Sequence, residues 1–437
     1  MKNKKVKISG QKVFCFISFI FIMTCCFWYG GRTIYFYIDA NKTTNIKKEK
    51  YLAKTIINNK KELKQISNNY YYYKDAKTNY LIYSNLLFRI IKVNKNNEIT
   101  IISEKPITLL ANGKNKSYTD SYITKWLNIK NEEYTGILQS NLNDISRYLI
   151  KNKTCIDNII DINNITCSDI DKSNYITPLS LIDYMNTGGK DSFINNGYYT
   201  YLVNTNEDKI WYINDEGKLN SNDGTEIYGV KFTLTLNDDT TIKKGKGTKN
   251  SPYIIEDENK YFASYVKLDN DLWQVYQDDN NELKLSLANY LEENNNKIEY
   301  LYSNNTYFHN DTKNYTLAHY LNNNYLNKLS YKDIIINSNY YNNLYNEDTK
   351  YDYKEIMKKT IDTKIANLSI GNVFLNDLDK YYTSTAKKKT TMYIVNKNFT
   401  VDESEVEEEK YIIPCITIKK DILKEGSGTQ EDPFRME

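Results

Sequence analysis

The chain has 437 residues, enough for two or three domains that each bury a core. Its formal charge is 58 − 55 = +3, and residues 1–12 hold five of the lysines, so the remainder carries 3 − 5 = −2. A charge so near zero supplies no basic field for nucleic acid, and we therefore expect no nucleic-acid partner. The 42 tyrosines fit a binding surface, but the codon bias of an AT-rich genome gives the same composition, so composition assigns no function.

An uncharged run of 19 residues, 13–31, follows the lysine-rich start. Its length suits a helix across a bilayer core of roughly 30 Å. Lysines before such a helix favour a cytoplasmic N-terminus. The sequence therefore predicts a cytoplasmic tail over 1–12, one transmembrane helix over 13–31 as the membrane partner, and a single-pass protein of the cell membrane with its C-terminal domains extracellular. The alternative is a cleaved secretory signal, which also exports the rest of the chain.

Residues 32–78 are rich in lysine and asparagine, and the apolar residues between 46 and 66 follow a loose helical spacing. This pattern predicts a short helical stalk. The tyrosine run 70–73 ends it, and the sequence assigns that run no role.

The pattern Gly-x-Gly-Thr-x-x-x-Pro-aromatic occurs twice, at Gly245–Tyr253 and Gly426–Phe434, which begin 426 − 245 = 181 residues apart. A period of this length is the size of a domain. The same landmarks precede each motif in the same order. They are the hairpins 88–103 and 273–286, the helix ends 126–128 and 320–322, the strands 176–181 and 365–370, the strands 211–213 and 392–394, and the strands 230–236 and 412–418. The sequence predicts two diverged copies of one α+β domain, 79–256 and 257–437.

This order of landmarks resembles a bacterial family of surface-protein domains of unknown function, thought to share a C-type-lectin-like fold with the formylglycine-generating enzymes. The resemblance implies two tandem C-type-lectin-like α+β domains. The chain departs from the family at Gly229–Phe232 and at Ile412–Pro414, where the family has Gly-Val-Arg-Pro. No cysteine is placed like the active-site cysteines of the formylglycine-generating enzymes.

Cys155 and Cys167 lie 12 residues apart inside the first copy. In an exported chain this spacing favours a disulfide that closes a short loop, with two free thiols as the alternative. A zinc site needs two further ligands nearby, and the sequence shows none, so we predict no metal site and no cofactor.

Neither of the two histidines, at 309 and 319, stands in a nucleophile motif, so no catalytic residue is predicted. The sequence therefore favours a protein that is not an enzyme. The candidate ligand-binding residues are Trp211, Tyr212, Asp215 and Lys231, as an aromatic platform beside polar groups. The sequence favours a membrane-anchored extracellular binding or adhesion protein of the bacterial envelope, with a glycan or a protein as ligand. A hydrolase or transferase on the same scaffold and a structural spacer stay open as alternatives.

Overall fold

The computed structural model describes residues 50–67, 70–74, 77–128, 137–256, 261–279, 281–303, 308, 316–342 and 360–436. The predicted tail 1–12, transmembrane helix 13–31 and the first part of the stalk, 32–49, lie outside these residues. Among the described residues, no helix is both long enough and apolar enough to cross a membrane. The described residues therefore give no support to the predicted single-pass topology and cell-membrane localisation.

Strands dominate the structure, with 39 % of residues in strands and 16 % in helices, so the predicted α+β class is wrong and the fold is mostly β. The described α-helices are short, and the longest, such as Leu52–Asn58, have 7 residues. The α-helices are α1 Leu52–Asn58, α2 Tyr122–Asn128, α3 Ile137–Asn141, α4 Ile145–Tyr148, α5 Leu181–Asn186, α6 Leu317–His319 and α7 Leu326–Lys328. A π-helical stretch, Tyr320–Tyr325, joins α6 to α7. Single 3-10 turns are Lys60–Glu62, Tyr118–Asp120, Gly189–Asp191, Lys332–Ile334 and Lys420–Ile422.

The first half of the chain builds a nine-stranded sheet and a smaller three-stranded sheet. Its strands are β1 Leu63–Ser67, β2 Tyr70–Tyr73, β3 Tyr80–Tyr83, β4 Leu86–Asn94, β5 Ile99–Ser103, β6 Leu109–Leu110, β7 Leu149–Ile150, β8 Thr154–Cys155, β9 Ile170–Asp171, β10 Ile176–Thr177, β11 Thr200–Asn206, β12 Lys209–Ile213, β13 Leu219–Asn222, β14 Tyr228–Gly229, β15 Thr233–Leu236 and β16 Tyr253–Ile254. The large sheet contains the path β16-β3-β4-β5-β15-β10, and β11, β12 and β13 form the small one. Every residue of β5 is buried, as expected for an apolar strand at the centre of a sheet.

The second half repeats this arrangement. Its strands are β17 Tyr265–Leu268, β18 Asp271–Asp279, β19 Glu282–Leu287, β20 Glu292–Glu293, β21 Asn296–Lys297, β22 Glu299–Leu301, β23 Ser338–Tyr341, β24 Thr360–Thr363, β25 Ile365–Asn367, β26 Tyr381–Ala386, β27 Thr391–Val395, β28 Val401–Glu405, β29 Glu409–Tyr411, β30 Pro414–Lys419 and β31 Phe434–Arg435. The order β31-β17-β18-β19-β30-β25 matches the first path strand for strand, and β26-β27-β28 matches the small sheet. The two halves therefore share one topology, while the bounds 79–256 and 257–437 stay predictions.

Each glycine motif brings the chain back to the first strand of its own copy, β3 or β17. Tyr253–Ile254 pairs in parallel with β3, and Phe434–Arg435 pairs in parallel with β17. Gly245 and Gly426 have φ values of +91° and +94°, and a Cβ on either would overlap the carbonyl oxygen of the proline that precedes the aromatic residue. Only glycine fits a backbone approach this close. The motif is thus a closing strand that completes the sheet.

The predicted helical stalk over 32–78 is wrong where the structure describes it. Helix α1 buries Leu52, Ala53 and Ile56 in the main core. After it, β1 pairs with β2, and β2 pairs with β4, so the tyrosine run forms a strand of the nine-stranded sheet. The apolar spacing of this segment was interpreted as helical because, over so few residues, spacing alone does not distinguish a helix from a strand.

Residues 51–437 form one compact unit. Hydrogen bonds join the two copies: the Trp126 indole N–H donates to the Gly371 carbonyl at 2.7 Å, and the Thr108 hydroxyl donates to the Asn372 carbonyl at 2.7 Å. One hydrophobic core also runs through both halves. The copies are therefore parts of one body, held together by buried hydrogen bonds and a shared hydrophobic core.

Candidate functional site

The four predicted ligand-binding residues do not form one site. Trp211 and Tyr212 are neighbours on β12, and side chains alternate between the two faces of a strand. Trp211 is 8 % exposed, packs in a smaller core with Leu181 and Tyr184, and donates its indole N–H to the Ile159 carbonyl at 2.8 Å. Trp211 is thus a core residue, and it does not belong to an aromatic platform with Tyr212.

Lys231 is also buried, with 3 % of its surface exposed. Its Nζ donates to the Ile194 carbonyl at 3.0 Å and to Asn196 Oδ1 at 3.2 Å. Burial lowers the pKa of this ammonium to about 8, against the opposing attraction of Glu104. The Lys231 side chain therefore holds the loop at Ile194 and Asn196 against the core. Its ammonium is buried and is not available to a ligand at the surface.

Tyr212 belongs instead to a cluster of four tyrosines, which we call the tyrosine face: Tyr199, Tyr201, Tyr212 and Tyr228. Tyr201 and Tyr212 are cross-strand partners on β11 and β12. The ring centroid of Tyr228 lies 5.0 to 5.1 Å from the three others, and the rings of Tyr199 and Tyr212 are stacked at 6.3 Å with 25° between their planes. Tyr201 is buried, while the other three rings are half-buried and share one patch of surface.

The hydroxyl groups of the tyrosine face are held by polar neighbours. The single Tyr201 O–H has two acceptors within reach, Asn222 Oδ1 at 3.1 Å and the Glu226 carbonyl at 3.0 Å. The Asn222 amide in turn donates to the Tyr228 hydroxyl at 3.4 Å. Partial burial, the neighbouring Tyr212 and Glu226 raise the pKa of Tyr228, so its hydroxyl stays protonated at neutral pH and acts as a neutral donor and acceptor.

Asp215 forms the polar edge of this face. Its carboxylate accepts a hydrogen bond from the Asn398 amide at 3.4 Å, and Asn398 belongs to the second copy. Partial burial and a hydrogen bond to Asp215 raise the pKa of Tyr199. The edge is therefore completed by the turn 396–400 between β27 and β28, where Thr400 also forms a bridge with Tyr228.

Sequence reasoning missed Tyr199, Tyr228 and Asn398. The alternation of Tyr199 and Tyr201 leading into β11 is a signal that puts both rings on one face. Asn398 carried no such signal, because it reaches the site only through the packing of one copy on the other.

The structure pairs Cys155 with Cys167 in a disulfide, with their Cα atoms 5.7 Å apart. The bond lies beside the short hairpin of β8 and β9. Among the described residues, Cys155, Asp157 and Cys167 are the one group whose ligand atoms converge as a metal site requires. Because the disulfide engages both sulfur atoms, neither is a thiolate ligand here.

No family model, curated protein or solved structure matches this chain.

Proposed function

We propose that the protein is a non-enzymatic binding protein whose tyrosine face takes a glycan. The observation that carries the proposal is the placement of three half-buried tyrosine rings in one patch, beside the carboxylate of Asp215 and the amide of Asn398. A sugar ring has an apolar C–H face and a rim of hydroxyl groups. Tyrosine rings supply rigid apolar area with a polar tip, and the carboxylate and amide bind hydroxyl groups.

The geometry supports a ligand of several sugar units. The centroids of Tyr199, Tyr212 and Tyr228 are separated by 5.1 to 6.3 Å, so the patch is wider than a single aromatic ring. Tyrosine also carries low side-chain entropy, which reduces the cost of holding the platform in place.

The test is a glycan array followed by titration of the best saccharide into variants. Tyr212→Ala removes one of the three half-buried rings of the patch, and the loss of one aromatic contact of about 0.5–1.5 kcal/mol weakens binding by roughly two- to tenfold. Asp215→Asn tests the polar edge, where we expect a loss of similar size. Tyr300→Ala is the matched control, since Tyr300 is also half-buried and stacked on a tyrosine, Tyr320, at 4.7 Å.

We expect Tyr300→Ala to bind as the unchanged protein does. An array with no saccharide above background removes the proposal. Equal losses in Tyr212→Ala and Tyr300→Ala also remove it, because they indicate a general loss of stability.

A further inference from the structure

The turn that carries Asp215 has an exact counterpart in the second copy. Residues 214–218 join β12 to β13, and the amide N–H of the first residue donates to the carbonyl four residues later at 3.0 Å. The amide N–H of the fourth residue donates to the carbonyl of the first, also at 3.0 Å. The turn 396–400 joins β27 to β28 with the same two hydrogen bonds, at 2.9 and 3.1 Å. Asp215 therefore corresponds to Lys397.

The tyrosine face is not repeated in the second copy. Tyr212 lies two residues before its turn on β12, as Ile394 does on β27. The cross-strand pairing of β11 with β12 matches that of β26 with β27, so Tyr199 corresponds to Lys380. Two tyrosines and a carboxylate of the first copy are thus an isoleucine and two lysines in the second. The shared topology therefore does not require the aromatic and acidic side chains.

Negative charge surrounds the tyrosine face. Burial is the main cause of the raised pKa of both Tyr199 and Tyr228. The carboxylate of Asp215 raises the pKa of Tyr199 further, and that of Glu226 raises the pKa of Tyr228 further, because a nearby negative charge opposes ionisation of the phenol. Both carboxylates therefore act on the rings of the face.

These two carboxylates are not compensated by a neighbouring cation. Glu216, next to Asp215, is paired with Lys218 at 2.5 Å. Within the described part of the chain, neither Asp215 nor Glu226 forms an ion pair with a lysine or an arginine. Asp215 is half-buried and Glu226 is exposed. The tyrosine face therefore presents unpaired negative charge to a ligand.

The tyrosine rings attract positive charge as well. The face of a tyrosine ring is negative and attracts a cation up to about 6 Å from the ring centroid. The centroids of Tyr199, Tyr212 and Tyr228 lie 5.1 to 6.3 Å apart, so one cation on the patch is within reach of more than one ring. An acidic sugar would meet like charge, which disfavours binding. Rings and carboxylates together thus favour a positively charged ligand.

We propose that the glycan bound by the tyrosine face is an amino sugar, whose ammonium group lies against the rings of Tyr199 and Tyr228 beside the carboxylate of Asp215. This inference rests on the proposed glycan function and adds the charge class of the ligand. The ammonium gives the carboxylate its missing partner, and the C–H face of the sugar packs on the remaining ring.

The first experiment titrates two β-linked tetrasaccharides, one of glucosamine and one of glucose, into the full chain. They differ only in an ammonium or a hydroxyl group at one carbon of each unit, so the glucose compound is the matched control. A weakly acidic buffer keeps the amino groups protonated and the carboxylates ionised. One ammonium on rings and a carboxylate predicts about five- to tenfold tighter binding of the glucosamine compound. Equal or weaker binding overturns the proposal.

Asp215→Lys locates the ammonium on the tyrosine face. The equivalent turn of the second copy carries Lys397, so a lysine suits this backbone. We expect the glucosamine compound to lose its advantage over the glucose compound in this variant. Glu299→Lys makes the same change of charge at an exposed glutamate beside Tyr300, and we expect it to keep the advantage. An advantage that survives Asp215→Lys, or that Glu299→Lys removes equally, overturns the proposal.

Ethanolamine, which has an ammonium and a hydroxyl group but no sugar ring, distinguishes an amino sugar from a free amine. We expect its binding to be weaker than that of the glucosamine compound by about tenfold or more, since it covers less of the rings. Equal binding overturns the assignment to a sugar.

The two proposals fail separately. If both tetrasaccharides bind equally and Tyr212→Ala weakens both, the amino-sugar proposal is overturned and the glycan proposal stands. If Tyr212→Ala changes the binding of neither tetrasaccharide, the proposed function itself is overturned.

Discussion

Lys231→Met should change how the stability of the protein depends on pH. Burial lowers the pKa of this ammonium from 10.5 to about 8. The difference of 10.5 − 8 = 2.5 pKa units corresponds to about 3 kcal/mol that the charged lysine costs the folded state at neutral pH. The unfolded chain holds the proton more tightly than the folded one between pH 8 and 10.5, so stability from this group rises with pH through that window.

The size of the effect follows from the two pKa values. Between pH 7 and pH 9.5 the destabilisation caused by the buried Lys231 ammonium falls by about 2 kcal/mol. Over this range Lys231 loses its proton in the folded protein, while in the unfolded chain it stays mostly protonated. Methionine has a similar length and no proton to release, so the variant lacks this rise. Removing the ammonium also takes the donor from the Ile194 carbonyl and Asn196 Oδ1, which affects stability at every pH and leaves the slope unchanged.

The assay is urea unfolding of both proteins at several pH values from 7 to 9.5. Other titrating groups, such as the buried thiol of Cys415, whose pKa burial raises, are common to both proteins and cancel in the difference. We expect the free energy of unfolding of the unchanged protein to rise by about 2 kcal/mol relative to that of the variant over this pH range. Parallel pH profiles would refute the reasoning, since they would mean that the lysine stays charged in the folded state.

Two further predictions concern the sheet closure and the disulfide. Gly245→Ala should destabilise the protein more than Gly197→Ala, because both glycines have positive φ, which costs alanine about 1 kcal/mol, but only at 245 does a Cβ overlap a carbonyl oxygen. Urea unfolding measures the difference, and equal costs would show that the overlap relaxes freely. Replacing Cys155 and Cys167 together by serine should lower the free energy of unfolding by about 3 kcal/mol, as expected for a short closed loop. A reductant should then destabilise the unchanged protein and leave the double variant unaffected, and an effect on both would contradict the assignment.

The sequence predicted those features that depend on local pattern. The hairpin over 88–103 corresponds to β4 and β5, and its counterpart over 273–286 corresponds to β18 and β19, because alternating apolar residues around an asparagine-rich turn specify strands locally. The order of landmarks also led to the shared topology of the halves. The pattern failed at the stalk, where apolar residues at helical spacing are divided between α1 and the strands β1 and β2.

The candidate site depended on features that are not local. Trp211 and Tyr212 look like one aromatic pair in the sequence, but the period of the strand sends them to opposite faces. Phe399 and Asn398 reach the first copy only because the copies pack together.

Amide hydrogen exchange with and without the best saccharide of the array tests the central claim most directly, since it locates the bound ligand on the chain. The account predicts slower exchange in the segments that hold the tyrosine face, 199–215 and the turn 396–400, with no change around Tyr300 in β22. Protection confined to β22, or spread evenly over both copies, would contradict it.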